Sequence, residues 1–293
     1  MSRAAKAYKL GAAVMGILPE PIARHGGHLA GSMAWLWADE RKRLAIRAMA
    51  RVRGESPDTP SDEARAMAKV LFAEYGRYWA ETFWIRRRRI PVIERYMEIE
   101  GIEHYRQAVE AGSGVITAVP HLGNWEIGAR LAALESTPLL AVAENLGDEE
   151  LEEWFVDVRA QMGIDIVLAD GSSAVVSRLA GALAANGVIA LLSDRDISGK
   201  GAEVEFFGER TRLPTGAVAL SLRTGAALLP AAAYAKRKRG HRVVVKPPLE
   251  LPTRNIGDGV QALAYALEDL IREAPTQWHM VSPNWPSDRA PRR

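Results

Sequence analysis

The spacing of apolar positions along the chain changes near residue 90. Before that point apolar residues recur at helical intervals up to about Trp84, with a break over 54–61 where Pro57 and Pro60 interrupt the pattern. After Ile90, short β-type runs alternate with segments of helical spacing. Such alternation predicts a parallel sheet covered by helices. We therefore expect the α/β class, with a central, largely parallel twisted sheet flanked by helices and a helical amino-terminal region.

The segments after residue 90 give the expected elements in chain order. The predicted strands are 114–119, 139–143, 164–168, 188–192, 228–235 and 242–246. The predicted helices are 124–134, 148–162, 172–185, 215–224 and 258–273. A glycine-rich loop near residue 200 leads into one further short strand. The chain thereby divides into a helical region over 1–90, an α/β domain over 91–282 and a loose tail, rich in proline and arginine, over 283–293.

A polar segment follows directly on the apolar run 115–120, and it reads His121-Leu-Gly-Asn-Trp-Glu126. Ligands bind at the carboxyl ends of strands in open α/β sheets, so His121 lies at the expected binding edge. Gly123 permits a tight turn and Asn124 is suited to cap a helix, which places Glu126 in the first helical turn. Alternatively, Glu126 only interacts with the helix dipole and His121 is bonded to backbone.

The same segment resembles the H-X4-D/E motif of the glycerolipid and lipid A acyltransferase superfamily. Its full six-residue string is similar to that of the lipid A and phosphatidylinositol mannoside acyltransferases, closest to the mannoside enzymes. The resemblance implies acyl transfer from a thioester to a hydroxyl, with His121 as the general base that takes the hydroxyl proton. A carboxylate on the other ring nitrogen would fix the tautomer and stabilise the imidazolium. The hydroxyl is itself the nucleophile, so no acyl-enzyme is required.

A second block extends from Asp194-Arg195-Asp196 through Gly201-Ala-Glu203-Val-Glu-Phe-Phe-Gly208. It resembles the second conserved block of the same acyltransferases, and Glu203 stands where the mannoside enzymes have an acid. The resemblance implies that Glu203 partners His121 in the mannoside type and that Glu126 does so in the lipid A type. We nominate both acids. An ordinary solvated strand position is the alternative for Glu203, since it alternates with Glu205.

We expect the catalytic residues to be His121, Glu126 and Glu203, and the substrate-binding residues to be Asn124, Arg159, Asp194, Arg195 and Asp196. Arg159 lies on the predicted helix 148–162 and matches in order a family arginine implied to contact a substrate phosphate. A guanidinium suits that task through bidentate contacts. Arg195 and Arg212 are comparable candidates, and a merely solvated arginine is the alternative in each case.

The amino-terminal region has features of lipid contact. Residues 10–18 form an apolar run after Lys6 and Lys9. A membrane-spanning helix needs about 20 residues, so an interfacial helix is expected, assisted by the apolar cluster 33–37. A cleaved signal peptide, or plain packing on the α/β domain, remains the alternative. The arginine run 86–89 follows several aromatic residues, a pairing that suits an anionic membrane surface.

Composition narrows the possible chemistry. A formal net charge of +2 with 36 acidic residues gives no domain-wide basic footprint, so we expect no nucleic-acid partner. The chain has no Cys, which excludes disulfides and thiol catalysis and makes a structural zinc site improbable. The sequence has no G-x-S-x-G elbow and no phosphate-binding glycine loop of the P-loop type. We expect no cofactor and no bound metal.

These features predict a peripheral O-acyltransferase at the cytoplasmic face of the plasma membrane. Its expected partners are an acyl donor thioester, either acyl-CoA or an acyl carrier protein, a glycolipid acceptor and an anionic membrane surface. A phosphatidylinositol mannoside is the first choice of acceptor because of Glu203 and the Asp194-Arg195-Asp196 corner, and a lipid A precursor is the second. A hypothesis of another class is a catalytically silent membrane-binding protein on the same fold.

Overall fold

The computed structural model describes residues 3–144, 147–169 and 172–289, with the side chains of 3–7 and of Arg87 left aside. The amino-terminal region is helical, as predicted. Its helices are α1 (Arg3–Ile17), α2 (Glu20–Ala34), α3 (Asp39–Val52) and α4 (Asp62–Trp84). α4 begins after Ser61, whose hydroxyl accepts from the Ala64 N–H and caps the helix. Helix α2 crosses α4 closely because Gly31 has no side chain: a Cβ there would lie 2.1 Å from the Phe72 carbonyl oxygen.

The remaining elements build a seven-stranded sheet with helices around it, and a separate hairpin. The strands are β1 (Met97–Glu100), β2 (Val115–Val119), β3 (Leu139–Glu144), β4 (Ile164–Ala169), β5 (Val188–Leu192), β6 (Ala202–Phe206), β7 (Glu209–Leu213), β8 (Ala227–Ala235) and β9 (His241–Val245). The helices are α5 (Ile90–Arg95), α6 (Ile102–Glu110), α7 (Trp125–Gly128), α8 (Arg130–Leu134), α9 (Glu149–Gln161), α10 (Ser173–Ala184), α11 (Gly216–Thr224) and α12 (Ile256–Glu273).

The sheet has the order β1-β9-β8-β2-β5-β3-β4, and β6 pairs only with β7. Every neighbouring pair in the large sheet is parallel except β8 with β9. The mixed but mostly parallel sheet confirms the predicted fold class. The antiparallel pair consists of the predicted strands 228–235 and 242–246, and the basic segment between them is the turn of a hairpin.

Most predicted elements are present, with ends displaced by one or two residues. The strand expected over 114–119 begins at Val115, because Gly114 has φ +77° and cannot continue an extended strand. The single helix expected over 124–134 is two short helices, α7 and α8. Strands β1 and β7 are not among the predicted elements. These two strands are short, and two residues in each are exposed to solvent.

One core joins the amino-terminal helices to the sheet. Met49 and Leu71 of the helical region belong to the same cluster of buried side chains as Ile116 and Ile189 of the sheet. The division of the chain at residue 90 stays a prediction. Within the described residues, no helix combines the length and the apolar character that a membrane crossing requires.

The tail expected to be loose is packed where the structure describes it. Trp285 is 1% exposed, and the Arg51 guanidinium lies 4.0 Å from the centre of its ring. Asp288 is also buried and accepts from Arg47 and Arg51, both at 2.9 Å. The prediction is therefore wrong for 283–289. Proline and arginine content predicts a solvated tail, but two arginines on α3 pair with its one aspartate, and one of them, Arg51, also covers its tryptophan. Residues 290–293 lie outside the described residues.

The arginine run after α4 closes the end of α1. Arg86 donates to the Ala12 carbonyl at 2.6 Å, and Arg89 donates to the carbonyls of Gly16 and Leu18 at 2.5 and 3.2 Å. Gly16 and Leu18 lie at the carboxyl-terminal end of α1, where backbone acceptors lack helical partners and cations are favoured, and Ala12 lies one turn earlier. The run thus holds α1 in place, a contact that its sequence pattern does not predict.

Candidate active site

His121 and Asp194 follow neighbouring strands of the sheet. Strands β2 and β5 are parallel partners whose register pairs Val119 with Leu192. His121 and Asp194 each lie two residues beyond that pair, so both side chains emerge at the same carboxyl edge. The pairing continues one step past the strands, because the Ser193 N–H donates to the Val119 carbonyl at 3.0 Å.

The Asp194 carboxylate holds the His121 ring from one side. Its Oδ1 lies 2.7 Å from Nδ1 of His121. Its Oδ2 accepts from the His121 backbone N–H at 3.1 Å and from the Trp278 indole N–H at 2.7 Å. Burial alone would raise the pKa of Asp194, but the His121 ring and these hydrogen bonds outweigh burial and lower that pKa below its ordinary value. An ionised Asp194 accepts a hydrogen bond from the Nδ1–H of His121, which leaves Nε2 without a proton and free to act as an acceptor.

Nε2 of His121 is available for chemistry. Among the described residues, the hydrogen bonds of His121 use its ring Nδ1 and its backbone, and Nε2 has no partner. The side chain is 19% exposed, and the Trp125 ring stands edge-on to it at a centroid distance of 5.4 Å. A neutral nitrogen in this position can take a proton from a hydroxyl within hydrogen-bond reach.

The loop that carries His121 is fixed on both sides. Gly123 has φ +60°, and a Cβ there would lie 2.0 Å from the Ala233 carbonyl oxygen of β8. Its N–H donates to the Gln277 carbonyl at 2.9 Å, and the His279 N–H donates to the His121 carbonyl at 2.8 Å. The positive φ and the close approach to the β8 backbone require glycine at position 123.

Glu126 belongs to a different contact set from His121. Helix α7 begins after Asn124, whose side chain accepts from the Ile127 N–H at 3.2 Å, so the predicted cap is present. The buried Glu126 Oε1 lies 3.4 Å from Nη2 of Arg159 and 3.3 Å from the Tyr78 hydroxyl. Glu126 is therefore not the acid on the His121 ring. Its catalytic role stays a prediction, as does the role of Arg159 in binding phosphate.

Glu203 lies in solvent, away from the ring. It is on β6, where its side chain is 71% exposed and pairs with Arg212 of β7 at 2.9 Å. Alternation along β6 turns Glu203 and Glu205 outward and Val204 inward. The nominated pairing with His121 is therefore wrong for Glu203 as well, and the solvated-strand alternative describes it. A carboxylate does brace the histidine, but that carboxylate is Asp194, which the sequence analysis assigns to substrate binding.

Asn124 is part of a buried polar network rather than a substrate contact. Its Nδ2 donates at 3.2 Å to Oε2 of Glu81, which lies on α4. The same carboxylate is bound by Nε2 of His241 and by Nε of Arg24, both at 3.0 Å. Burial would raise the pKa of Glu81, but His241, Arg77 and Arg24 lower it to about 2. The network ties α2 and α4 to Asn124, the residue that caps α7. Full burial excludes Asn124 from direct contact with substrate.

Arg195 and Asp196 shape the next loop. Asp196 accepts from the backbone N–H groups of Ser198, Gly199 and Gly201 at 3.0, 3.1 and 2.7 Å. Its carboxylate is thus occupied by the turn, which contradicts the expectation that it contacts substrate. Arg195 donates to the Ser282 hydroxyl at 3.2 Å and keeps a partly exposed guanidinium, so its role toward substrate stays a prediction.

An apolar cavity opens beside the His121 corner. It holds about 900 Å³ of free space, its mouth included, between the sheet and helices α7, α8 and α9. Pro120, Leu122 and Trp125, which flank His121 in the chain, line one part of it. Its depth is lined by side chains of six strands, among them Val119, Ala141, Ile166, Leu192, Ala231 and Val243. Glu126 and Arg159 are the two charged residues among the described lining. The shape and chemistry suit an alkyl chain with a polar group at one end.

Sequence reasoning did not identify His279 and Trp278. The His279 ring is buried among Tyr75, Tyr78 and Trp125, at centroid distances of 4.9, 5.0 and 5.8 Å. Burial, with the nearby His121 and Arg77, lowers the pKa of His279 to about 3, so the ring is neutral. The signal in the sequence is only an aromatic–histidine pair far from the motif, which no spacing rule connects to His121.

Comparison with known proteins is consistent with this geometry. The chain matches the bacterial lipid A biosynthesis acyltransferase family over residues 4–287. It is 34% identical over 254 residues to a phosphatidylinositol mannoside acyltransferase of Mycolicibacterium smegmatis, covering 84% of this chain and 80% of the relative. A protein of the same name from Mycobacterium tuberculosis H37Rv is 34% identical over 275 residues, covering 91% and 80%.

A lipid A biosynthesis palmitoleoyltransferase of Escherichia coli K12 is more distant. It is 26% identical over 272 residues, covering 89% of this chain and 84% of the relative. The match to the family extends over nearly the whole chain and includes both the amino-terminal helices and the strand-end corner that carries His121. The chain therefore belongs to the bacterial lipid A biosynthesis acyltransferase family, and it is an acyltransferase.

Proposed function

We propose that the protein transfers a long acyl chain from a thioester donor to a hydroxyl of a phosphatidylinositol mannoside. The observation that carries the proposal is the His121–Asp194 pair beside a cavity walled by apolar side chains. The donor is acyl-CoA or an acyl carrier protein, and its alkyl chain occupies the cavity. The greater similarity to the mannoside enzymes than to the lipid A enzyme supports the choice of acceptor.

The proposed reaction uses the free nitrogen of His121. The acceptor hydroxyl gives its proton to Nε2 as its oxygen attacks the thioester carbonyl carbon. Asp194 stabilises the imidazolium that forms and keeps the second proton on Nδ1. When the tetrahedral intermediate breaks down, the C–S bond cleaves and the imidazolium returns its proton to the leaving sulfur. The products are the acylated glycolipid and a free thiol, and no cofactor enters the balance.

The amino-terminal helices supply the proposed membrane contact. Large apolar side chains are exposed along one stripe of α1 and one of α2. They are Leu10, Val14, Ile17, Ile22, Leu29 and Met33, and Leu36 and Trp37 follow them just after α2. A stripe of this kind binds at the headgroup boundary rather than across the bilayer. A cytoplasmic location is proposed because both candidate donors are cytoplasmic thioesters.

A transfer assay tests the function directly. Purified protein is incubated with radiolabelled palmitoyl-CoA and a phosphatidylinositol mannoside in mixed micelles, and the labelled lipid product is measured. We expect product with the wild type and none above background with His121→Ala. Glu203→Gln, which alters an exposed carboxylate, serves as the matched control and should keep wild-type activity. Transfer to a lipid A precursor but not to the mannoside would show that the acceptor is the lipid A precursor. Absence of transfer to either acceptor would favour a catalytically silent membrane-binding protein.

A further inference from the structure

A second cavity, the helical groove, lies in the amino-terminal region. Its walls are Ala30, Gly31 and Ala34 of α2 facing Phe72, Tyr75, Gly76, Trp79 and Phe83 of α4, and it holds about 810 Å³ including its opening. The α4 residues recur at three and four positions over three turns, so the stripe extends about 16 Å along the helix. A groove of this length with aromatic and small apolar walls fits an alkyl chain.

One cation stands on the rim of the helical groove. Arg41, near the start of α3, is exposed and lines the groove next to Ala38. The neighbouring Lys42 and Arg43 pair with Asp39 and Glu40, but within the described part of the chain no carboxylate pairs with Arg41. An apolar channel with one uncompensated guanidinium at its rim is complementary to a lipid that carries a phosphate.

The helical groove reaches the neighbourhood of His121. Tyr75 and Val281 both line it, and Tyr75 packs on His279 at a centroid distance of 4.9 Å. The backbone N–H of His279 donates to the His121 carbonyl, and the N–H of Val281 donates to the His279 carbonyl. A lipid in the helical groove therefore contacts Tyr75 and Val281, and both of these residues contact His279, which is hydrogen-bonded to His121.

The two cavities are separated by one aromatic side chain. Buried Tyr78 stacks on Trp125, a wall of the cavity beside His121, at 4.5 Å. On its other side Tyr78 contacts Tyr75 and Trp79, which line the helical groove, at 6.0 and 5.2 Å. The arrangement provides two apolar sites on opposite sides of one layer, and an acyl transfer between two lipidic substrates requires two such sites.

The opening of the helical groove is continuous with the exposed apolar stripe of α2. Ala30 and Ala34 line the groove and are themselves exposed, and Met33 and Trp37 beside them are exposed apolar residues. A lipid can therefore pass from a membrane under α2 into the groove without crossing a polar surface.

We propose that the helical groove binds one acyl chain of the acceptor glycolipid, with Arg41 on its phosphate, while the donor chain occupies the cavity beside His121. This inference rests on the proposed function, because it assigns the second substrate of the same reaction. It predicts that recognition of the acceptor depends on the acyl chains of that acceptor and not on its sugars alone.

The test fills the groove without touching the His121 site. Ala30→Phe places a ring in the groove from an exposed position, and Ala30→Leu is a milder second variant. Ser32→Phe adds the same ring to α2 outside the groove lining and is the matched control. Arg41→Gln removes the rim cation. Its control is Arg65→Gln, which changes an exposed arginine on α4 that forms no ion pair with any described residue. Thermal unfolding establishes that each variant is folded.

Two acceptors are compared in the transfer assay. These are a diacylated phosphatidylinositol mannoside and its deacylated, water-soluble headgroup. We expect Ala30→Phe to raise KM for the diacylated acceptor about tenfold or more, with KM for palmitoyl-CoA unchanged. Arg41→Gln should raise the same KM severalfold, and neither control should change it. Turnover of the deacylated headgroup should be insensitive to Ala30→Phe.

A binding measurement separates failure of this inference from failure of the proposed function. His121→Ala protein is mixed with radiolabelled diacylated mannoside in detergent, and retention of the lipid is measured with and without Ala30→Phe. Loss of retention on adding Ala30→Phe supports the groove even if the wild type transfers nothing. Equal retention, or an equal rise of KM for the diacylated and deacylated acceptors, overturns the assignment.

Discussion

The corner after β5 and the hairpin β6–β7 lie close together in the sequence, but the carboxylate of the corner is buried and that of the hairpin is exposed. Asp194 is buried at the end of a central parallel strand and accepts from His121 and Trp278. Glu203, on a hairpin outside the main sheet, is exposed and pairs with Arg212. The position of an acid relative to the sheet, rather than its position in a sequence motif, therefore determines whether it can bind the catalytic ring.

Removing the charge of the buried acid should have the largest effect. In Asp194→Asn, the Trp278 indole and the His121 backbone N–H both require an acceptor at the Oδ2 position, so the amide oxygen takes that place and the amide nitrogen faces Nδ1. Nδ1 then becomes an acceptor, Nε2 carries the proton and the base is blocked. We expect kcat in the transfer assay to fall about 10³- to 10⁴-fold, the scale of the equivalent change in a Ser-His-Asp triad.

Glu203, the exposed acid of the hairpin, provides the control for Asp194→Asn. Glu203→Gln should keep kcat within about twofold, since an exposed pair of this kind contributes little. Circular dichroism and thermal unfolding should show both variants folded. Equal losses in the two variants would contradict the distinction between corner and hairpin.

An intermediate effect is expected at Glu126, which lies near the corner but not on the ring. Glu126→Gln preserves the shape and removes the charge that Arg159 faces at 3.4 Å across the cavity lining. We expect kcat/KM to fall about 10- to 100-fold, the range for hydrogen bonds to charged groups. Exposed Glu205 provides the control variant Glu205→Gln, and a loss as small as in this control would remove Glu126 from the site.

The buried corner and the hairpin should also differ in how they affect the dependence of the free energy of unfolding on pH. The pKa of His279 falls from 6.5 to about 3 on folding, so between these values the unfolded chain binds more protons than the folded one. The contribution of His279 to the free energy of unfolding is therefore fully present above pH 6.5 and is lost as the pH falls toward about 3. The slope is at most about 1.4 kcal/mol per pH unit. Denaturant unfolding from pH 7 to 4.5 should show a steeper decline for the wild type than for His279→Phe, and parallel curves would refute the buried neutral ring.

The smallest effect is expected for the exposed ion pair of the hairpin. Arg212→Ala removes the partner of Glu203 and should change the free energy of unfolding by under about 1 kcal/mol, as is typical for exposed pairs. High salt should reduce even this difference. A larger destabilisation in urea unfolding would show that the hairpin pair is a structural contact like those of the corner.

The sheet was predictable because apolar periodicity specifies strands and helices locally. The strand over residues 188–192 and the cap at Asn124 follow from such local rules. The identity of the acid on His121 was not predictable in this way, because β3 and β4 lie between β2 and β5 in the chain but outside them in the sheet. Periodicity does not give strand order, and only that order brings Asp194 to His121.

Long-range contacts also account for the remaining errors. The packed segment 283–289 depends on Arg47 and Arg51, which are more than 200 residues away in sequence. The charge of the arginine run 86–89 and its aromatic neighbours favour an anionic membrane surface, yet Arg86 and Arg89 bind carbonyl groups of α1. In both cases composition suggests a segment exposed at the surface, and the intramolecular partner that composition does not reveal is remote in the chain.

The protonation of the two ring nitrogens of His121 tests the central claim most directly. A long-range ¹H–¹⁵N spectrum of ¹⁵N-histidine-labelled protein at neutral pH, assigned by comparison with His121→Ala, reports which nitrogen carries the proton. The account predicts a protonated Nδ1 and an unprotonated Nε2 in the wild type and in Glu203→Gln, and the reverse in Asp194→Asn. A wild-type ring protonated on Nε2, or a tautomer that changes with Glu203→Gln and not with Asp194→Asn, would contradict it.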